Sequence, residues 1–498
     1  MSASARTLGA GPLAGLAAIV LAAFLLRFLL IVLTPNLHQP DEIYQSIEQA
    51  HRLVYGTGLV PWEFQYGARS WLVPGALAGV MWLARLVGDG PAYYLPAIFA
   101  ALSLLSTSCV VIAFLWGRRF YGLAGGFVAA WAMALSADAV YFGPRAGQEE
   151  IAAHLLVIAA YLAEPGYRPQ GRARLIVAGL VFGLVFDVRY HLAPALAVIV
   201  LWAGWGAWRA RLAPVLAGAF ASALAGGLLD WPTWGFPFAS VWYNSVYNSL
   251  YGVNASFGAG GGATYFALLA LFWGAGIAII PFLAVIGSYR LPMLGVAALV
   301  TFAEYTALPH KELRILYPAI LLAVMLAALG LARLAVWAEA RLRAEGRIPA
   351  HAWHTCGLAA AGLWALFSAG ESASGGYAPL WRQDENALRA ALAVAAMPSA
   401  CGVGLWGMSW PSSGGYSYLH VPGPLYLPKD EAELARETAG FNTLVALGHV
   451  PDAGAFRVRE CFGGFCVAQR EGECARVPGE LVTGIPAGLD AVAPLVPP

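Results

Sequence analysis

A proline followed by two carboxylates, Pro40-Asp41-Glu42, opens the most polar stretch of an otherwise apolar sequence, HQPDEIYQSIEQAHRLVYGTG at 38–58. Proline suits the first turn of a helix, and carboxylates beside it are favoured by the positive end of the helix dipole. The plain reading of Asp41 and Glu42 is helix-end electrostatics. The chemical reading is a carboxylate kept ionised by the dipole, which is what a general base for a hydroxyl group requires. PWEFQYGARS (61–70) continues the stretch and adds Trp62, Glu63 and Arg69. A second dense cluster, PHKELR (309–314), lies between two apolar runs. Its Lys311 and Arg314 could be interfacial side chains paired with Glu312. A charge that slipped into a bilayer core would cost roughly 2.5–3.5 kcal/mol on insertion scales. Alternatively, His310, Lys311 and Arg314 form a cationic clamp, since such groups make charge-assisted bonds to phosphate oxygens.

Three further clusters have the same character. Arg145 precedes Gln148, Glu149 and Glu150. Asp187, Arg189 and His191 occupy a tight link between two apolar runs. Asp230 starts a long aromatic stretch, DWPTWGFPFASVWYNSVYNSLYG (230–252), that includes Asn244. Its tryptophans and tyrosines suit an interfacial belt, with stacking on sugar rings as the sharper alternative. The triplet Asn254-Ala255-Ser256 fits a glycosylation acceptor, but single matches arise by chance.

The elements that must position these residues are set by composition. The chain of 498 residues is 59% hydrophobic and 11% charged, and its mean hydropathy is +0.65. A soluble domain carries about 25% charged residues. Apolar runs near the length of a bilayer crossing recur through the first three quarters, and a net charge of +1 gives no field for nucleic acid. The run after Arg6 is long for a cleaved signal, holds Arg27 and lacks a small-residue cleavage pattern, so it reads as a retained helix. Hydropathy predicts spans near 12–35, 92–116, 123–141, 148–163, 175–188, 192–208, 215–229, 263–288, 292–308, 315–337 and 351–370. That makes about eleven, or twelve if the ambiguous run 71–88 also crosses. With the N-terminus inside and 71–88 not crossing, GRRFYG (117–122), YRPQGRAR (167–174), Arg209, Arg211, Arg290 and RLRAEGR (341–347) fall inside. Residues 36–70, 142–148, 189–191, 230–262, 309–314 and everything from 371 then face outward. The helix that starts at Pro40 places Ile43, Ile47, Ala50 and Val54 on one face and is expected to lie on the membrane surface.

The tail from 371 carries 13 acids and 8 bases, enough for a soluble surface. We expect a small α/β domain over 371–498, beside a membrane domain over 1–370. Its predicted elements are a helix near 384–396, strands near 402–408, 416–420 and 424–427, and a helix from Asp430 to about 438. Asp430 and Glu433 form a candidate capping box, and Gly463-Gly464 a two-residue hairpin turn. Cys461 and Cys466 would face each other across that turn, within disulfide range; Cys401 and Cys474 are competing partners, and reduced buried thiols are the alternative. A disulfide here would mark an oxidising side of the membrane. No Cys/His spacing suggests zinc.

HQPDEIYQSIEQAH with PWEFQYGARS resembles the first-loop signature of glycosyltransferase family 22, in the GT-C superfamily. That signature runs roughly His-Pro-Asp-Glu, Gln, Glu-x-x-His, then Trp-Glu and Arg-Ser; here Gln39 is inserted between His38 and Pro40. PHKELRILYP resembles the second signature, His-Lys-Glu-x-Arg-Phe, with Ile315 in place of the Phe. Asp230, Asn244, Asn248 and Tyr251-Gly252 resemble the long-loop pattern. The resemblance covers roughly residues 20–320. Two departures stand out: GPRAGQEE replaces an Arg-Thr-x-x-Asn pattern, and Arg189-Tyr190-His191 replaces Arg-Pro-Thr. The Ala- and Arg-rich composition suggests a bacterial member.

The resemblance implies a polytopic GT-C fold and an inverting mannosyltransferase. It would move a sugar from a polyprenyl-phosphate donor to a lipid-linked glycan or other extracytoplasmic acceptor, at the periplasmic face of an inner membrane. Asp41 would be the base, with Glu42 in reserve. His310, Lys311 and Arg314, helped by Arg189 and His191, would hold the donor phosphate. Gln45, Trp62, Glu63, Arg69, Asp230 and Asn244 would shape the acceptor and sugar side. No DxD pair is present to bind a metal, so no cofactor is expected. The competing class is a secondary transporter or lipid flippase, which would show inverted repeats and broken helices with charge at the midplane. A receptor or scaffold that used the tail as its binding module would leave the two signatures unexplained.

Overall fold

The computed structural model describes residues 9–165, 171–349, 354–373, 375–452, 454–484 and 489. Arg6 and residues 167–170 of the YRPQGRAR link lie outside them. The described chain divides into two compact units. The first holds Met1–Leu29, Leu102–Leu228 and Phe257–Ala378; the second holds Leu30–Ala101, Leu229–Ser256 and Pro379–Pro498. The linear boundary expected at 370/371 is therefore not a boundary between compact units. Residues 379–498 instead share their unit with the segments 30–101 and 229–256.

Helices stand where the apolar runs predict them. Among the described residues, four are long and apolar enough to cross a membrane: Ala10–Leu33, Pro91–Leu135, Trp208–Trp234 and Arg314–Ala344. A bent pair, Thr264–Trp273 with Gly276–Ser288, passes the same test as a broken span with a 97° bend. Pro91–Leu135 is itself interrupted at Gly122, whose φ of 79° no helix allows, so the two runs expected there are two helical halves. The remaining apolar runs form Gln148–Ala163, Arg172–Val188, Ala193–Ala203, Pro292–Ala307 and Thr355–Ala373. The ambiguous run forms Leu72–Ala84, 13 residues and about 20 Å long, short of a hydrocarbon core of about 30 Å.

Within the first unit, close helix contacts use glycine. A Cβ on Gly287 or Gly330 would strike the backbone of the facing helix, as small residues permit in membrane bundles. Arg27 shows how a charge survives inside an apolar helix. It is fully buried, and its guanidinium donates to Ser106 Oγ at 3.0 Å and to the carbonyls of Ala23, Ala134 and Met133 at 2.9, 3.0 and 3.2 Å. Two of those carbonyls end the helix that stops at Leu135, where they lack intrahelical partners.

In the second unit the C-terminal residues form a five-stranded sheet. Its strands are β1 (Val403–Trp406), β2 (Leu425–Tyr426), β3 (Thr443–Leu447), β4 (Arg457–Phe462) and β5 (Phe465–Gln469), in the order β2-β1-β3-β5-β4. β1 runs parallel to β2 and β3, and β5 is antiparallel to both β3 and β4. Trp406, Tyr426, Leu434, Phe441, Leu444 and Ala446 form a core cluster. The helix Glu385–Ala395, the Gly463-Gly464 hairpin and the Asp430 cap all occur as expected; Asp430 accepts from the Glu433 N–H at 2.8 Å, and the Glu433 carboxylate accepts from the Lys429 N–H at 2.9 Å. The run 416–420 is a correction. Its alternating aromatics suggest a strand, but Gly415–Leu419 is a helical turn entered through Gly414 and Gly415 at φ 75° and 62°. Glycine takes that left-handed backbone without strain.

Both cysteine pairs are bonded. Cys461 pairs with Cys466 across the hairpin, their Cα atoms 4.0 Å apart, and Cys401 pairs with Cys474, 73 residues away. They do not compete. Closing a loop of that length should stabilise the fold by about 4 kcal/mol through the unfolded chain. Cys401→Ser is therefore expected to lower the melting temperature of the detergent-solubilised protein by several degrees. Cys466→Ser, which opens only the hairpin ring, should lower it less.

Candidate active site

The first signature builds a continuous helical stretch in the second unit. Pro40–Glu42 opens it behind Gln39, a π-helical turn follows over Ile43–Ile47, and Glu48–Tyr55 closes it at Gly56 in the left-handed conformation. The single wide turn admits an extra residue, a feature that recurs at functional sites. Ile43, Ile47 and Ala50 are buried as their spacing predicts. Asp41 is only partly buried. Glu42 is buried, and its Oε1 accepts the backbone N–H of His38 at 2.7 Å, so this carboxylate ties down the chain entering the helix.

Within the same unit the signature residues bind one another. Gln45 Nε2 donates to Glu63 Oε1 at 2.7 Å, and both side chains are buried. Asn244 Nδ2 donates to Ala68 O at 3.1 Å, and Trp234 Nε1 to Arg69 O at 3.0 Å, which fastens the aromatic segment to PWEFQYGARS. Asp230 Oδ2 accepts from the Ser240 N–H and Oγ at 2.9 and 2.6 Å. Trp62 is 7% exposed and packs with Tyr66, Ala68, Tyr247 and Val253. Asp41, Glu42, Gln45, Trp62, Glu63, Arg69, Asp230 and Asn244 therefore belong to one unit.

The first unit gathers the charged residues of the second signature. Arg189 follows the helix Arg172–Val188 and is 8% exposed; its Nη2 lies 2.8 Å from Glu149 Oε1. Arg314 Nη1 lies 3.8 Å from Glu149 Oε2, and Arg314 Nε lies 2.5 Å from Glu312 Oε2. His310 Nε2 contacts Glu312 Oε1 at 2.8 Å, and its Nδ1 faces Gly258 O at 3.2 Å. The result is an alternating chain, His310–Glu312–Arg314–Glu149–Arg189. Burial works against an ionised Glu312, but Arg314 and His310 outweigh it and hold its carboxyl at about 2. The bond to Glu312 in turn raises His310 above the usual imidazole range. His191 stacks against Tyr190, ring centroids 4.0 Å apart.

Lys311 has a different setting. Its ammonium donates to the carbonyls of Tyr305 at 3.0 Å and Thr306 at 2.9 Å, and to that of Leu308. These groups close the helix Pro292–Ala307, where a cation complements the negative end of the dipole. The carboxylate that holds two arginines, Glu149, was visible in the sequence only as one acid of a cluster. What distinguishes it is its place at the start of the helix Gln148–Ala163, opposite the link after Val188. Among the described residues, no three His, Cys, Asp or Glu side chains gather as metal ligands would.

Comparison with known proteins shows the family. Residues 18–373 match the model of the Alg9-like mannosyltransferase family. GPI mannosyltransferase 3 of Yarrowia lipolytica is 36% identical over 119 residues, 24% of this chain and 22% of that protein. GPI alpha-1,2-mannosyltransferase 3 of Danio rerio is 36% identical over 81 residues, 16% of this chain and 15% of that one. The chain thus matches about a fifth or less of these relatives' length. The crystal structure of ArnT from Cupriavidus metallidurans bound to undecaprenyl phosphate has a TM-score of 0.60 at 14% identity, covering 93% of this chain and 98% of that one. The Archaeoglobus fulgidus oligosaccharyltransferase, in complex with Zn and sulfate, has a TM-score of 0.50 at 13% identity, covering 87% and 68%. At such identities the likeness is one of fold alone. With matched residues that span both signatures and a fold of this kind, the chain is a multi-pass membrane protein that belongs to the Alg9-like mannosyltransferase family.

Proposed function

We propose that this protein transfers mannose, with inversion, from a polyprenyl-phosphate donor to a lipid-linked glycan on the periplasmic side of an inner membrane. The observation that carries the reading is the pair of buried arginines, Arg189 and Arg314, held by one carboxylate, Glu149, and continued through Glu312 to His310. Cations fixed in this way are preorganised for an oxyanion and need no rearrangement as charge develops. The acceptor hydroxyl gives its proton to Asp41 as its oxygen attacks the anomeric carbon. The bond from that carbon to the phosphate oxygen breaks, and its electron pair leaves on the lipid phosphate. Arg314, Arg189 and His310, assisted by His191, stabilise that charge. Lys311 contributes by closing the helix that precedes them, and Glu42 by fixing the chain ahead of Asp41. Gln45, Glu63, Trp62, Arg69, Asp230 and Asn244 build the wall on which the acceptor sugar rests.

A transporter would use the 97° bend between Thr264–Trp273 and Gly276–Ser288 as its broken helix. Family membership and the two charge-bearing signatures favour the transferase. A leaving group of one lipid phosphate carries less charge than a nucleotide diphosphate, so protein cations can replace a metal. The test gives the purified protein polyprenyl-phosphate-mannose or a nucleotide-activated mannose, each with and without EDTA. Consumption of the lipid donor alone, unchanged by EDTA, is expected. Consumption of the nucleotide sugar, or loss with EDTA that Mg²⁺ or Mn²⁺ restores, would overturn the donor and metal assignments respectively.

A further inference from the structure

The first signature contains two residues to which the proposed chemistry assigns nothing, Glu48 and His51, the ends of its Glu-x-x-His. Both are buried in the second unit, and both bind the C-terminal segment. Glu48 is fully buried. Its Oε1 accepts the N–H groups of Leu59 at 2.8 Å and Tyr416 at 2.9 Å, and its Oε2 accepts that of Ser417 at 2.8 Å. Among the described residues no cation pairs with it: backbone N–H groups hold it, and burial pushes its carboxyl up to about 6 in spite of them. The fit is close, because a Cβ on Gly415 would lie 2.6 Å from Glu48 Oε1.

His51 makes the second fastening. Its Nδ1 lies 2.7 Å from Thr57 O, so that nitrogen carries the proton. Its Nε2 is then an acceptor, and His420 Nδ1, 3.2 Å away, donates to it. Two imidazoles bond in this way only while His51 is neutral, and burial lowers His51 to about 4. Two tyrosines complete the attachment: Tyr44 Oη donates to Trp410 O at 2.8 Å, and Tyr94 Oη to Ser417 O at 2.6 Å. Trp410, Tyr416, Ser417 and His420 are thus held by the stretch that begins at Pro40, and Ser417 also by Tyr94 of the helix Pro91–Leu135.

We propose that Glu48 and His51 are positioning residues that dock residues 410–420 against the helix carrying Asp41, which makes the C-terminal segment a working part of the transferase. This rests on the reading of Asp41 as the base. Glu48 stands seven residues beyond Asp41 on one continuous helical stretch, two turns or about 10 Å along its axis. The intervening π turn has wide geometry, so its shape depends on what holds each end. Displacement of a catalytic group by about 1 Å can cost on the order of a hundredfold in rate.

The test compares Glu48→Gln, His51→Gln and Gly415→Ala with wild type and with Asp41→Asn, in full-length protein. Glu48→Gln turns an amide N–H₂ toward backbone N–H groups that need an acceptor. Gly415→Ala forces the docked turn away and leaves both signature residues intact. Each docking variant is expected to lose kcat by about tenfold or more, with KM for the lipid donor within about threefold, while amide exchange speeds up at 38–47 and 410–420 together. Should Glu48→Gln fail to fold, Gly415→Ala and His51→Gln carry the same comparison. Faster exchange at 410–420 with kcat unchanged would overturn the proposal, as would loss confined to KM. Retained turnover in Asp41→Asn would instead refute the base. Linked exchange at 38–47 and 410–420 would then still report the docking.

Discussion

Asp41→Asn is expected to reduce mannose transfer by about a thousandfold, within the range a positioned general base supplies, and to leave donor binding within about twofold. Asparagine keeps the size of aspartate but cannot accept the proton of the acceptor hydroxyl. The neighbouring Glu42 is a poor substitute because its Oε1 is engaged by the His38 N–H at 2.7 Å and its side chain is buried. Glu42→Gln should therefore act differently: it weakens the anchoring of the chain before the helix and lowers thermal stability more than turnover. Donor-consumption rates for both variants, with donor binding measured separately, decide the assignment. If Asp41→Asn turns over at the wild-type rate, the base lies elsewhere.

Arg314→Lys is expected to lower kcat by about a hundredfold or more, the loss seen when one donor to a developing oxyanion is removed. Lysine preserves the charge but not the planar fork that reaches Glu312 at 2.5 Å and Glu149 at 3.8 Å. Arg314→Ala is the less informative variant, since it removes a partner from both Glu149 and Glu312 and so disturbs the fold of the cluster as well as its charge. Glu149 links the two arginines of the cluster, at 2.8 Å from Arg189 and 3.8 Å from Arg314. Turnover of Arg314→Lys should fall with the phosphate part of the donor, so the loss should be equal for every sugar carried on the same lipid phosphate. A loss that varied from sugar to sugar would place Arg314 on the sugar instead.

Much of this was legible because hydropathy and charge act locally. The predicted apolar runs became helices, the run 263–288 as a bent pair, and Pro40-Asp41-Glu42 opened one as proline and the helix dipole require. The hairpin at Gly463-Gly464 followed from turn chemistry and alternation. What escaped the sequence depends on distant partners. The helical turn Gly415–Leu419 reads as a strand until Glu48, more than 360 residues earlier, supplies acceptors for its first N–H groups. Lys311 looks like a phosphate ligand by motif, yet three carbonyls at the end of Pro292–Ala307 occupy its ammonium. Cys401 and Cys474 stood as competitors for the hairpin cysteines, because 73 residues of intervening chain give no local sign of their pairing. The tail also looked like a separate domain by composition, whereas its contacts join it to residues 30–101 and 229–256.

The most direct test of the account is transfer itself. Purified protein would receive polyprenyl-phosphate-mannose with labelled mannose and extracted glycolipids, and product would be followed by mass and by the configuration of the new linkage. Labelled glycolipid one hexose heavier is expected, with the anomeric configuration inverted relative to the donor. Unconsumed donor with every acceptor, or a product with retained configuration, would contradict it.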